Sequence, residues 1–354
     1  MMFRCFYCGE LKDNSEQSLE HIIPESCGGN ITTKFVCITC NQAANKQIDE
    51  AFKNEWLVSW DRALLGLKGK RGQIHTETLN VKSQSGEEIL LEISEQGFVP
   101  ITKPSVDIDW DGGVGKIKVD PRYVEKVMKD IEKKAEKRGV KLTLPEKMPE
   151  KQTADPGFLS INTTVNLNPL RREQVKILLG LSCLYIPNFV NSNTAKYLRD
   201  YLWKTKAEDV ILGLESVVYP YPVFNDTLPS FTVEGNMIYS YPTSGMEIEN
   251  IFKVLNENSR KHLFAYYNYQ GKTRLVLSLF GHINSYIDTF EASNVFFPGP
   301  INFDGKAIIL NPRTGEREDV SLKSILGMVG FLASAKLAGF FSSRPDLFDA
   351  LKSR

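Results

Sequence analysis

The chain has no excess of charge of either sign: Lys and Arg total 43, and Asp and Glu also total 43. That balance excludes a global positive field drawing the whole molecule to nucleic acid, so affinity for a polyanion must rest on local patches. Long hydrophobic runs are missing too. The nearest approach, Leu322 to Phe341, is interrupted by Lys323 and Lys336, which predicts a buried or subunit-facing helix rather than a membrane span. The opening MMFRCFYCGE holds no apolar core of signal-peptide length. Neither an internal repeat nor a low-complexity tract is found. These absences predict a soluble, cytoplasmic protein. What remains is ordinary globular material, 42% apolar and 24% charged, and 354 residues are enough for two or three domains, each with a core.

The pattern along the chain predicts an α+β fold in three stretches. Residues 1–65 hold all the paired cysteines and the first histidine. Residues 66–165 are β-rich, with strands expected at Thr76 to Lys82, Glu87 to Ser94 and Lys116 to Val119. One helix is expected there over 121–138, capped by Asp120-Pro121, striped by Val124, Met128, Ile131 and Ala135, and stopped by Gly139. Leu144 to Asp155, rich in Pro, Lys and Glu, reads as a linker. Residues 166–354 form a C-terminal α+β stretch. There Arg171 to Tyr185 is apolar almost all round, as a central buried helix would be. Asn193-Thr194 would cap a second helix, and Arg260 to Tyr269 with Lys272 to Phe280 flank Gln270-Gly271 as a hairpin. Ser285 to Phe290 would add a strand.

Six cysteines in a reducing compartment point to metal rather than disulfides. Cys5-x-x-Cys8 and Cys37-x-x-Cys40 are matched pairs separated by 28 residues. A two-residue gap lets both thiolates of a pair face one ion, and two pairs complete the closed tetrahedral site of a structural zinc. With four thiolates bound, that zinc has no position for a catalytic water; it staples a segment too small to have a large core. Cys27 and Cys183 lie outside the pattern and read as plain buried thiols.

Between the pairs stands Leu19-Glu20-His21-Ile22-Ile23-Pro24, followed by Gly28-Gly29; after Cys40 comes Asn41-Gln42-Ala43-Ala44-Asn45-Lys46-Gln47-Ile48-Asp49. A carboxylate oxygen suits a hard cation such as Mg²⁺, while the neighbouring neutral imidazole suits proton abstraction from water near pH 7. Asn41 adds an uncharged oxygen, and Asn41, Asn45 and Asp49 follow at helical spacing. Ala44, Ile48, Phe52 and Trp56 form the adjoining apolar stripe.

In these residues the chain resembles the HNH endonucleases that carry four zinc-binding cysteines. The resemblance spans roughly residues 3 to 60. It implies a ββα-metal fold in which one divalent ion, Mg²⁺ or Mn²⁺, grips the scissile phosphate. Carried over, His21 is the general base, and Glu20 and Asn41 hold the ion, with Asn45 as reserve ligand. Asp49 reads as a structural hydrogen-bonding residue. The middle motif position has no clear counterpart; Asn30, Thr32 and Thr33 are the candidates.

The implied partner is DNA. Residues 1–75 carry nine basic and nine acidic side chains, so the module itself is not basic. The loop Lys68-Gly69-Lys70-Arg71-Gly72 is the first candidate for phosphate contact, and the helix around Lys133 the second, because 116–141 holds ten basic against five acidic residues. His75, His262 and His282 have no motif around them and read as structural. The function expected is a metal-dependent endonuclease cleaving DNA, by analogy one serving restriction or anti-phage defence. The rivals are a zinc-stapled nucleic-acid-binding protein with an inactive site, and a sensor or scaffold using the nuclease as effector. The C-terminal stretch matches no mechanism and leaves recognition, sensing or homo-oligomerisation open.

Overall fold

The computed structural model describes residues 2–69, 72–83, 86, 88–103, 105–110, 114–140, 159–160, 167–203, 221–222, 260–281, 283–298 and 305–321. The expected linker at Leu144 to Asp155, His282, Lys70, Arg71 and the apolar stretch Leu322 to Phe341 lie outside them.

The first elements are two small hairpins and a helix. Strands β1 (Met2–Arg4) and β2 (Leu11–Asp13) pair antiparallel around the first cysteine pair, whose turn closes through Gly9, at φ +76°, donating its N–H to the Cys5 carbonyl. Strands β3 (Gln17–His21) and β4 (Thr32–Cys37) pair antiparallel, with a register shift between Ser18 and Glu20. The chain then enters helix α1 (Ile38–Ala44) directly from Cys37. Asn45–Asp49 is a π-helical turn rather than a continuation of the expected α-helix. It leads into α2 (Glu50–Lys53) and, after a break, α3 (Trp56–Leu64). Ala44, Ile48 and Phe52 are fully buried as expected, while Trp56, the last of the expected stripe, is half-buried and begins α3 after the break.

Residues 62–66 and 73–164 form a compact unit of their own. In it β5 (Glu77–Ser83), β6 (Glu88–Ser94) and β7 (Gly97–Thr102) pair antiparallel, and β8 (Ser105–Asp109) pairs with β9 (Val114–Lys118). Ile89, Leu91 and Ile93 alternate inward along β6 and pack with Val81. The sequence expectation omitted β7 and β8. Pro100 counts against a strand in any central position, but β7 lies at the edge of its sheet, where a missing N–H costs no ladder bond. Helix α4 (Val124–Arg138) follows its expected punctuation: the Asp120 side chain accepts from the Arg122 N–H, and Gly139 takes the left-handed cap at φ +68°. Strand β10 (Leu159–Ser160) pairs with β5.

Beyond it come helices α5 (Leu167–Tyr185) and α6 (Asn193–Trp203). The α6 cap is Ser192, whose hydroxyl accepts the Ala195 N–H, rather than the expected Asn193. A six-stranded antiparallel sheet follows, in the order β11 (Tyr221–Pro222), β14 (Ile283–Ala292), β13 (Lys272–Leu279), β12 (His262–Tyr269), β15 (Lys306–Leu310), β16 (Arg317–Ser321). The β12–β13 turn has positive φ at both Gln270 and Gly271, the twist that suits a two-residue hairpin.

Residues 1–61, 67–72 and 165–354 make up a single compact unit, so the structure joins the first and third stretches of the sequence. Several contacts do this. A Cβ on Gly180 of α5 would lie 2.7 Å from Ile22 Cγ2, so the helix approaches β3's continuation closely only because it carries glycine there. From α6, Arg199 Nε donates to the Phe6 carbonyl and Trp203 Nε1 to the Tyr7 carbonyl, each at 2.8 Å. Among the described residues no helix is long and apolar enough to cross a membrane.

His262 of β12 holds the loop after Pro24. Its Nδ1 accepts the Phe280 N–H, which leaves the ring proton on Nε2, donated to the Cys27 carbonyl at 2.8 Å. Burial drops this imidazole from 6.5 to about 4. A folded value below the unfolded one means the stabilising neutral form is fully present above about pH 6.5, and its contribution drains away as pH falls towards about 4. Wild type should therefore lose more stability across that window, followed by denaturant melts at each pH, than His262→Gln; parallel curves would refute the linkage.

Candidate active site

The four cysteines expected to bind zinc meet. One thiol sulfur from each of Cys5, Cys8, Cys37 and Cys40 lies within 4.8 Å of the others, a separation that one tetrahedral ion at about 2.3 Å from each sulfur would bridge. The Cys37 N–H points at Cys5 Sγ, 3.4 Å away, as knuckle backbones do. Burial pushes the Cys8 thiol up to about 11, and a shared proton with Cys5 raises Cys40. Four crowded thiols call for positive charge, and a bound Zn²⁺ supplies it while deprotonating them. Cys27 is buried and Cys183 partly so; both stand outside the cluster, as expected.

Strand β3 presents Glu20 and His21 to different surroundings. Glu20 is 2% exposed. Its Oε1 accepts the Tyr7 hydroxyl at 2.9 Å and lies 3.3 Å from Lys176 Nζ; neither partner uses Oε2. Desolvation raises the Glu20 carboxyl above its usual range against the pull of Lys176, and burial likewise raises Tyr7. His21 is half-buried and has no hydrogen bond or ion pair among the described residues.

Asn41 is buried at the start of the helix, and its Nδ2 donates to the Ser18 hydroxyl at 2.7 Å and the Leu19 carbonyl at 3.0 Å. A carbonyl only accepts, so this bond fixes which end of the amide faces β3 and turns Oδ1 the other way. Asn45 Nδ2 donates to that Oδ1 at 3.0 Å, which confirms the i,i+4 neighbourhood. Asp49 departs from it. The π-helical turn widens the spiral at this point, and Asp49 points to Lys176 instead, 2.5 Å away.

Lys176 was not anticipated from the sequence. It is fully buried on α5, with Asp49, Glu173 Oε1 at 3.1 Å and Glu20 around one ammonium. Burial pulls the ammonium down, but its three carboxylate neighbours outweigh that and hold it charged. Burial raises the Glu173 carboxyl well above its ordinary range, against the pull of Lys176. Removing one partner from such a buried ionic cluster costs about 3–5 kcal/mol. In the sequence Glu173 and Lys176 stand beside Arg171, Arg172 and Gln174, and nothing local marks them as the buried pair.

The candidates for the middle motif position diverge. Asn30 is exposed and donates to the Gly315 carbonyl. Thr33, buried opposite Glu20, accepts the Phe35 N–H, and Thr32 pairs with His21 across the hairpin. Of the expected DNA contacts, Lys68 and Lys133 are exposed. His75 lies 3.6 Å from Glu77 and His262 is the buried anchor described above, so neither belongs to this site.

Residues 5–57 match the family model of the HNH endonucleases. The match runs from the first zinc-pair cysteine through Glu20, His21, Asn41 and Asn45, and ends well before Lys176. It describes this segment and not the remainder of the chain. No curated protein and no solved structure matches.

One equivalent of zinc per chain is expected, and Cys40→Ser should lose it together with the fold of residues 1–61. Elemental analysis of wild type giving less than about half an equivalent would contradict this, since a structural zinc of this kind binds with a large free energy.

Proposed function

We propose that the chain is a metal-dependent endonuclease that hydrolyses phosphodiester bonds in DNA, using Mg²⁺ or Mn²⁺ at Glu20 and Asn41 and His21 as general base. A role in restriction or anti-phage defence would be this chemistry turned on foreign DNA. The observation that carries the reading is the contrast within the pair Glu20-His21. A metal ligand works best when a neighbour fixes its orientation, and Glu20 is held by Tyr7 and Lys176 through one oxygen. A general base needs a free nitrogen that reaches water, and His21 is partly exposed with its imidazole uncommitted. The Asn41 Oδ1, oriented by the bond to Leu19, is a neutral second ligand, and Asn45 stands beside it in reserve. The ion, when bound, supplies stabilisation of the charge that develops on the leaving oxygen.

DNA is assigned to basic residues outside the zinc module: the loop at Lys68, Lys70 and Arg71 first, then the exposed face of α4 around Lys133. Neutralising the loop trio should lower the slope of log affinity against log salt by up to about three units, with similar losses for every DNA sequence. An unchanged slope would remove the loop from the interface.

His21→Ala should slow plasmid cleavage by about 10²–10⁴-fold, with zinc content, thermal melt and DNA binding close to wild type. Glu20→Ala should instead raise the Mg²⁺ concentration needed for half-maximal rate. If His21→Ala cleaves at the wild-type rate with Mg²⁺ saturating, this assignment of the site is wrong.

A further inference from the structure

Helix α5 lies outside the residues that match the nuclease family, yet it contributes the ammonium bonded to the carboxylate of β3. We propose that Lys176, acting with Tyr7, is a positioning residue of the nuclease site: together they clamp Oε1 of Glu20 and leave Oε2 to the divalent ion, so that helix α5 sets the ion affinity of the module. This rests on the reading of Glu20 as a metal ligand.

Three features of the geometry support it. The Lys176 ammonium hydrogen-bonds Asp49 on the π-helical turn and lies within ion-pair distance of two further carboxyl groups, Glu20 on β3 at 3.3 Å and Glu173 one turn back on α5 at 3.1 Å. A fully buried ammonium set among three carboxyl groups has no bulk water beside it to replace a lost partner. The second feature is that a hydrogen bond and an ion pair meet on one oxygen. The Tyr7 hydroxyl and the ammonium both converge on Oε1, which stops the carboxylate from rotating and fixes where Oε2 lies. The third is independent of charge. Glu173, Lys176 and Gly180 recur three and four residues apart, on one face of α5. Gly180 allows the helix to approach Ile22, two residues past Glu20, more closely than any side chain would permit. The helix is therefore seated against the segment that bears the catalytic pair, and Lys176 is the group it delivers there.

A role confined to folding would leave the ion affinity of a folded variant untouched. The test measures Mn²⁺ binding to the full-length protein without DNA, by electron paramagnetic resonance, beside the Mn²⁺ dependence of plasmid cleavage. Lys176→Met should weaken Mn²⁺ binding by about 10- to 100-fold, the usual effect of removing a partner that orients a ligand. The metal concentration for half-maximal cleavage should rise in parallel, while the rate at saturating Mn²⁺ falls much less and zinc stays at one equivalent. Should Lys176→Met fail to fold, Tyr7→Phe decides, since it removes one hydroxyl on the same oxygen and no charge; a rise of about threefold or more in the Mn²⁺ dissociation constant supports the clamp. Unchanged Mn²⁺ affinity in the folded variant overturns the role of the clamp and leaves the nuclease reading standing. Wild-type protein that neither binds Mn²⁺ nor cleaves with it overturns both.

Discussion

The structure turns on one buried positive charge. Glu20, Asp49 and Glu173 are all withdrawn from water, and carboxylates withdrawn from water need a cation or a proton. Lys176 lies within ion-pair distance of all three. The strand that carries Glu20 and His21, the π-helical turn that ends at Asp49, and α5 are thus bound by a single group. Without it the two sides of the ββα element would be held apart by like charges in a dry interior.

Zinc and the ammonium divide the work. The cysteine cluster ties the β1–β2 turn to the start of α1. The ammonium ties β3 to Asp49. Between them the six-stranded sheet contributes His262, which secures the loop leaving the Glu-His-Ile-Ile-Pro segment through the Cys27 carbonyl. Gly28 belongs to the same arrangement: its φ of +81° and the nearness of Pro312 leave no space for a side chain. The short motif is thus braced by the chain that follows it, at Lys176, His262 and Pro312.

Much of this was legible from residue patterns, and the reasons for the remainder are physical. The paired cysteines, the Glu20-His21 dipeptide, the 121–138 helix and the Gln270-Gly271 hairpin are local signals, each decided by a few neighbouring residues. The π-helical turn at Asn45–Asp49 is not local. Nothing in those five residues forbids an α-helix; the widening goes with an Asp49 drawn to a lysine far along the chain. Lys176 was invisible for the same reason, because a periodicity reading registers its apolar neighbours and treats a single cation as noise. Asn41 shows the intermediate case: its place at the helix start was readable, but the bond to Leu19 that orients its amide depends on how the helix crosses β3.

The hub also has an order in time. Asp49 and Lys176 are 127 residues apart, and a ribosome adding about 5–20 residues per second needs roughly 6–25 s to cover that distance. Through that interval Glu20 and Asp49 have no ammonium to meet them and stay hydrated, so the nascent N-terminal segment cannot close into its final packing. The finished packing around Glu20 and Asp49 therefore comes only after α5 has been made, and a message truncated before Lys176 would yield the motif without it.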